Sequence, residues 1–406
     1  EQLVDVAYSL ATTRSSQEQR IALVTRSRES LCEALKEAGQ GRRPAGAVRG
    51  GVSLTRGKVA FLFPGQGSQR LGMGRGLYGE WEAFRESLDK CVGLFDRELE
   101  RPLKEVMWAE SGSETGYLLE QTEYTQAALF SVEYALNALW ESWGVKADYV
   151  GGHSVGELVA ACVAGVFTVE EGVRLCAARG RLMQRLPGGG WMVSIWAGEG
   201  EVSAAVMEHA SQVSIAAVNG PESVVISGRE AEVRAIAEGF SKRGVRTKRI
   251  AVSHAFHSPL MEPMLGEFRK VAETIRYERG RIPLLSNVSG GLSGEEERGA
   301  EYWVRHVREA VRFSAGVRTL QEKGTGTYIE VGPKATLLGL VSGCIGEGEG
   351  TLIATLRGEV GEREGVLEAL GRVYVSGGEV GWRGVFGAGA RRVDLPTYAW
   401  QRQRYW

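Results

Sequence analysis

A short apolar run in this chain ends abruptly in glycine and feeds a serine. Tyr149-Val150 leads at once into Gly151-Gly152-His153-Ser154-Val155-Gly156-Glu157, and apolar residues follow as far as Gly165. Strand, sharp turn and helix are the setting of the Gly-x-Ser-x-Gly nucleophile elbow, whose small flanking residues let the backbone crowd. The serine then stands at a helix N-terminus, where free N–H groups and the helix dipole favour a developing oxyanion. The bland alternative is a Gly-rich turn without chemistry.

The rest of the chain supplies a frame for that turn. Lys58–Phe63 (KVAFLF) is a buried strand stopped by Pro64-Gly65. A long amphipathic helix is predicted from about Gln126 to Trp143, and Thr168 with Glu171 forms a capping box for a helix reaching about Leu186. Strands alternating with helices imply a parallel sheet of the α/β-hydrolase-like kind. The pattern changes over 190–253. There Met192–Ala197, Val213–Val218, Ser223–Ser227 and Thr247–Val252 read as strands, with helices at Glu199–His209 and Glu230–Lys242. That order, βαββαβ, is the ferredoxin-like unit, read as a small subdomain inserted in the larger one.

The expected organisation is therefore a small α+β region over 1–57, a core formed by 58–189 and 254–387, the insert at 190–253, and a turn-rich tail at 388–406. In the first region Leu3–Leu10 and Ser30–Ala38 read as helices, Arg20–Thr25 as a strand, and 39–57 as a Gly/Arg-rich linker. A length of 406 residues fits two or three folded units.

Composition excludes several classes. A net charge of -1 gives no footprint for nucleic acid. The longest apolar runs fall far short of the roughly 18 residues a membrane span needs. The five cysteines are widely spaced with no Cys-x-x-Cys, which reads as reduced thiols in a cytoplasmic protein without a metal site. The chain opens on Glu1-Gln2 with no apolar segment behind it. The expectation is a piece of a longer polypeptide without a secretory signal.

A Ser nucleophile needs a base. An ordinary α/β hydrolase supplies Ser, acid and His in that order, yet no Asp lies between Ser154 and His257. This weakens a hydrolase or thioesterase reading and points to a serine and histidine whose imidazole is held by something other than a carboxylate, such as a main-chain carbonyl. Of five histidines, His254 and His257 share a loop after a predicted strand and are the preferred bases. Residue pattern alone does not choose between them, and His153 and His306 compete. Arg179 lies one helix beyond the elbow, and a planar guanidinium holds a carboxylate through two parallel hydrogen bonds. Spacing alone does not separate it from Arg174, Arg181 and Arg185. Asn219 and Asn287 could line the cleft, but strand-end asparagines usually form turns, and both are left out of the site.

Taken in order, FPGQGSQ (63–69), GHSVGE (152–157), ARGRLMQ (178–184), AAVNGP (216–221), VVISG (224–228), HAFHSPLM (254–261) and EVGP (330–333) resemble the acyltransferase domain of modular type I polyketide synthases. That family is related to the malonyl-CoA:acyl carrier protein transacylases. The likeness spans roughly 58–350. Residues 1–57 resemble part of the linker that follows a ketosynthase, and LPTYAWQRQRYW (395–406) resembles the linker after the acyltransferase.

The resemblance implies roles. Ser154 matches the nucleophile, His257 the base, and Arg179 the residue that binds the free carboxylate of the acyl group. The backbone N–H groups of Gln66 and Val155 match the oxyanion hole. HAFH, with Phe256, and Val155 in GHSVGE match the pattern for malonyl rather than methylmalonyl. The implied partners are malonyl-CoA, the phosphopantetheine of an acyl carrier protein and a neighbouring ketosynthase, with no bound cofactor or metal. A non-catalytic docking scaffold is the alternative of another class. Trp191 departs from the small residue usual there.

Overall fold

The computed structural model describes residues 2–51, 57–294, 299–346, 348–358, 361–387 and 389–397. It divides into two compact units, one made of Glu1–Leu54, Trp140–Val145 and Leu370–Trp406, the other of Thr55–Leu139 and Lys146–Ala369.

In the first unit, β1 (Gln19–Leu23) pairs antiparallel with β2 (Ala47–Gly51). The expected linker over 39–57 thus contains a strand. Its two apolar residues, Ala47 and Val48, are buried, and they were too few to show as a run among glycines and arginines. Helices Leu3–Thr13 and Arg28–Gly39 complete the N-terminal part. Residues 370–387 group here and not with the core to which sequence assigned them. The reason is local packing: the Arg20 guanidinium stacks on Tyr374, and Tyr8 packs edge-on against Phe386. Beyond them the chain runs back over the first helix, where Val393 N donates to Ser9 Oγ and Arg391 N to Asp5. Residues 398–406, within the expected C-terminal linker, lie outside the described residues.

The second unit holds the site. Its main sheet uses β3 (Lys58–Phe63) and β4 (Tyr149–Gly152); beyond the small-sheet strands β5 (Gly190–Ile195), β6 (Val213–Gly220), β7 (Ser223–Arg229) and β8 (Thr247–Ile250) come β9 (Thr325–Glu330) and β10 (Thr351–Ala354). The main sheet has the order β10-β9-β3-β4, and all its pairings are parallel. β3 is continuously apolar because both faces of a parallel sheet are covered; Ala60 to Phe63 are at most 1% exposed. β9 separates β3 from β10 and carries Gly326 and two threonines, so it gave no apolar run.

The small sheet has the order β6-β7-β5-β8 and is antiparallel throughout. With helices Glu199–Met207 and Glu230–Lys242 it forms the ferredoxin-like insert, packed around Val193, Ile195, Ile226 and Phe240. Trp191 packs on this core under the Arg249 guanidinium, 3.9 Å from its ring centroid, so the unusual residue belongs to the insert's own packing. The core is thus an α/β fold with a parallel sheet and a small antiparallel subdomain. Among the described residues no helix is long and apolar enough to cross a membrane.

Candidate active site

The serine sits where the two ends of β3 and β4 meet. A Cβ on Gly152 would lie 2.1 Å from the Gly156 carbonyl carbon, and one on Gly156 would lie 2.1 Å from Phe63 O. Both contacts are with backbone, so only glycine allows the helix Gly156–Ala164 to start this close to β3. The turn forces Ser154 to φ 53°, one of two non-glycine residues with positive φ among those described. The other is His257, at φ 56°. Such backbone costs about 1–3 kcal/mol per residue and persists only where its surroundings hold it.

The two strained residues face each other. Ser154 Oγ lies 2.8 Å from His257 Nε2, and His257 Nδ1 lies 2.8 Å from the Glu309 carbonyl oxygen. A carbonyl only accepts, so Nδ1 carries the hydrogen and Nε2 is left to accept the serine proton. The carboxylate missing from the sequence is replaced by this main-chain oxygen. His254 is buried in the same loop, but its nitrogens meet Ser253 Oγ and Leu186 O. The choice left open within the loop thus falls on His257 by geometry.

Arg179 comes from the helix Val169–Gln184 and is 1% exposed. Its Nη2 donates to Ser154 Oγ at 3.0 Å, while Nε and Nη1 are buried with no hydrogen-bond partner among the described residues. Burial lowers its pKa to about 10, which leaves it charged at neutral pH. A buried cation with two unused donors is a strong site for an anion.

The loop after β3 closes the other side. Its Gly65 stands against the elbow, since a Cβ there would lie 2.7 Å from His153 O, and Gly332 of EVGP packs on Pro64 just as closely. The N–H groups of Gln66 and Val155 donate to no acceptor among the described residues. Phe256 is buried beside His257, its ring 6.1 Å from that of His254.

Three residues stand around the elbow in places that sequence did not assign to them. Asn287 accepts from Ser154 N at 2.8 Å and donates to Gly152 O at 2.7 Å, so it clamps both sides of the elbow. Glu157 accepts from Asn287 N and from the Tyr302 hydroxyl. His306 lies 3.3 Å from Glu157, its ring nitrogens without a hydrogen-bond partner among the described residues, and burial with Arg179 holds its pKa to about 3, so it stays neutral beside the elbow. Asn287 was set aside because a strand-end asparagine usually serves its own turn; the second bonding partner, 133 residues away, has no local signature.

This fold and site define an acyltransferase enzyme. Residues 60–380 match the family model for the acyl transferase domain, and the chain belongs to that family. It is 50% identical over 99% of its length to polyketide synthase GfsA of Streptomyces halstedii, and 46% identical over 99% to the spectinabilin synthase protein NorB of Streptomyces orinoci. The chain spans only 5% and 19% of those relatives. Among solved structures, the acyltransferase domain from the second module of the salinomycin polyketide synthase shares 42% identity with a TM-score of 0.89, covering 98% of this chain and 93% of that one. FabD of Acinetobacter baumannii shares 25% identity with a TM-score of 0.69, over 78% of this chain and 99% of its own. The chain is thus an acyltransferase domain of the polyketide synthase type.

Burial, then Arg179 and His306, push the His257 pKa well below 6.5, against the opposing bond to Glu309. The imidazole therefore stays neutral, and able to accept a proton, as pH falls through 6.5. The kcat/KM for acylation should hold its plateau through pH 6.5 and decline only below it. A midpoint at or above 6.5 in a pH-rate profile would contradict this assignment.

Proposed function

We propose that this chain moves a malonyl group from coenzyme A to the phosphopantetheine thiol of an acyl carrier protein through a malonyl-serine ester at Ser154. The carrying observation is Arg179. It is a buried cation, bonded to the Ser154 hydroxyl, with two further N–H groups unused among the described residues. A simple acyl group gives such a cation nothing, whereas a malonyl carboxylate brings an anion that accepts charge-assisted hydrogen bonds from it.

The reaction runs in two halves. His257 Nε2 takes the proton from Ser154 Oγ as the oxygen bonds to the thioester carbonyl carbon. The oxyanion forms against the N–H groups of Gln66 and Val155. The carbon–sulfur bond breaks, and His257 returns the proton to the departing coenzyme A sulfur. In the second half the carrier thiol gives its proton to His257 and attacks the ester, and the proton ends on Ser154. The chemistry needs no metal or redox group. Residues 1–57 and 388–406 fit linkers that tie the domain to a neighbouring ketosynthase and to the rest of a cytoplasmic synthase.

Phe256 supports malonyl over methylmalonyl. It is 6% exposed and precedes the base; in this proposal its ring borders the α-carbon of an acyl group on Ser154. A methyl branch gains about 0.8 kcal/mol from burial but costs about 1–3 kcal/mol if it overpacks the site.

Two outcomes follow. Arg179→Ala should lower the ratio of malonyl to acetyl transfer by about ten- to a hundredfold, the value of a lost charged hydrogen bond; an unchanged ratio in paired kinetics removes Arg179 from substrate binding. In direct competition the wild type should favour malonyl-CoA over methylmalonyl-CoA, and Phe256→Ser should narrow the preference. Wild-type preference for methylmalonyl would overturn the substrate assignment, and an unchanged ratio in a folded Phe256→Ser variant would overturn the role of Phe256.

A further inference from the structure

The edge strand of the small sheet touches both halves of the reacting pair. β6 lies at one edge, hydrogen-bonded to β7 along one side. Its register against β7 slips between Ile215 and Ala217 and again between Val218 and Gly220. The residues passed over are Ala216 and Asn219. Bulges of this kind turn groups away from the ladder, and they gather beside active sites.

On the side away from β7 the strand bridges Val311 in parallel at Ala217, and the Asn219 side chain turns to the elbow. Ala216 O accepts from Val311 N at 2.9 Å, and Val218 N donates to Val311 O at 2.9 Å. Val311 stands two residues beyond Glu309, whose carbonyl takes the His257 Nδ1 hydrogen. The Asn219 side chain meets His153 Nε2 at 2.9 Å, one residue before Ser154. Ser214, from the same strand, donates its hydroxyl to the His257 carbonyl oxygen at 2.7 Å. That bond fixes the peptide of a residue held at φ 56°, a conformation uncommon for any residue but glycine.

We propose that β6 registers the base against the nucleophile, with Ser214 as a positioning residue that holds the His257 backbone while the 309–311 segment holds its ring. The parallel bridge to Val311, the Asn219 side chain and the Ser214 hydroxyl place four bonds from one strand around the pair. An insert held only as a lid has no need of bonds to the residues that carry the chemistry. The inference rests on the Ser154–His257 reading for its kinetic consequence, but not for its structural one.

The test uses the whole chain with Ser214→Ala and Ser214→Thr. Threonine keeps the hydroxyl and suits a strand. In Ser214→Ala the acylation rate per folded molecule, from single-turnover kinetics with malonyl-CoA well below the melting temperature, should fall about three- to tenfold with the KM unchanged. Ser214→Thr should recover most of it. In parallel, ¹⁵N-histidine NMR of the free protein should show His257 as the single Nδ1–H tautomer in wild type and Ser214→Thr, and a mixed or exchange-broadened signal in Ser214→Ala. A Ser214→Ala protein that loses melting temperature only, with rate and tautomer at wild-type values, overturns the proposal. So does a loss that threonine fails to restore. Failure of the Ser154–His257 reading would look different: wild-type acylation in His257→Ala, with the His257 signal of the parent chain still responding to Ser214→Ala.

Discussion

Backbone crowding at the elbow governs this site. Gly152 and Gly156 let the helix Gly156–Ala164 begin against the end of β3, at separations no Cβ tolerates. That approach throws Ser154 into the left-handed region and turns its hydroxyl out of the sheet. The strain persists because it is held: Asn287 bonds the elbow on both sides, and Glu157, Tyr302 and His306 back Asn287 in a buried cluster. The core of the second unit is in this sense a support for one unfavourable torsion.

Electrostatics then explain why the base is oriented by a carbonyl. A carboxylate beside His257 would compete for the Arg179 guanidinium, whose Nη2 already reaches Ser154 Oγ. A neutral carbonyl fixes the tautomer without neutralising the arginine. The cation therefore keeps its charge, and burial, followed by that same charge, holds the His257 pKa well below 6.5. In the proposed reaction one arrangement would serve both proton transfer and recognition of an anionic acyl group.

The parts of this design that are local were legible in the sequence. The elbow, the KVAFLF strand, the Thr168–Glu171 capping box and the βαββαβ order all rest on neighbours within a few residues, and each is present. Bonds between distant segments were not legible. Asn287 bonds residues 133 and 135 positions away in the chain, and although a main-chain carbonyl was expected at the His257 ring, no residue type points to Glu309 as its source. β2 and β9 were missed because their few apolar residues sit among glycines and threonines, so burial came from the sheet around them. The site motifs were easier to find because several of them, including FPGQG and EVGP, meet at the ends of the parallel strands, where an open α/β sheet places its ligands.

The account stands on acyl transfer through Ser154. Intact-protein mass spectrometry after brief exposure to malonyl-CoA, with peptide mapping, measures it most directly. The expected result is one malonyl adduct on the peptide bearing Ser154, absent from Ser154→Ala, and discharged much faster by a pantetheine thiol than by water. An adduct on another residue, or a Ser154→Ala protein that still acylates, would contradict it.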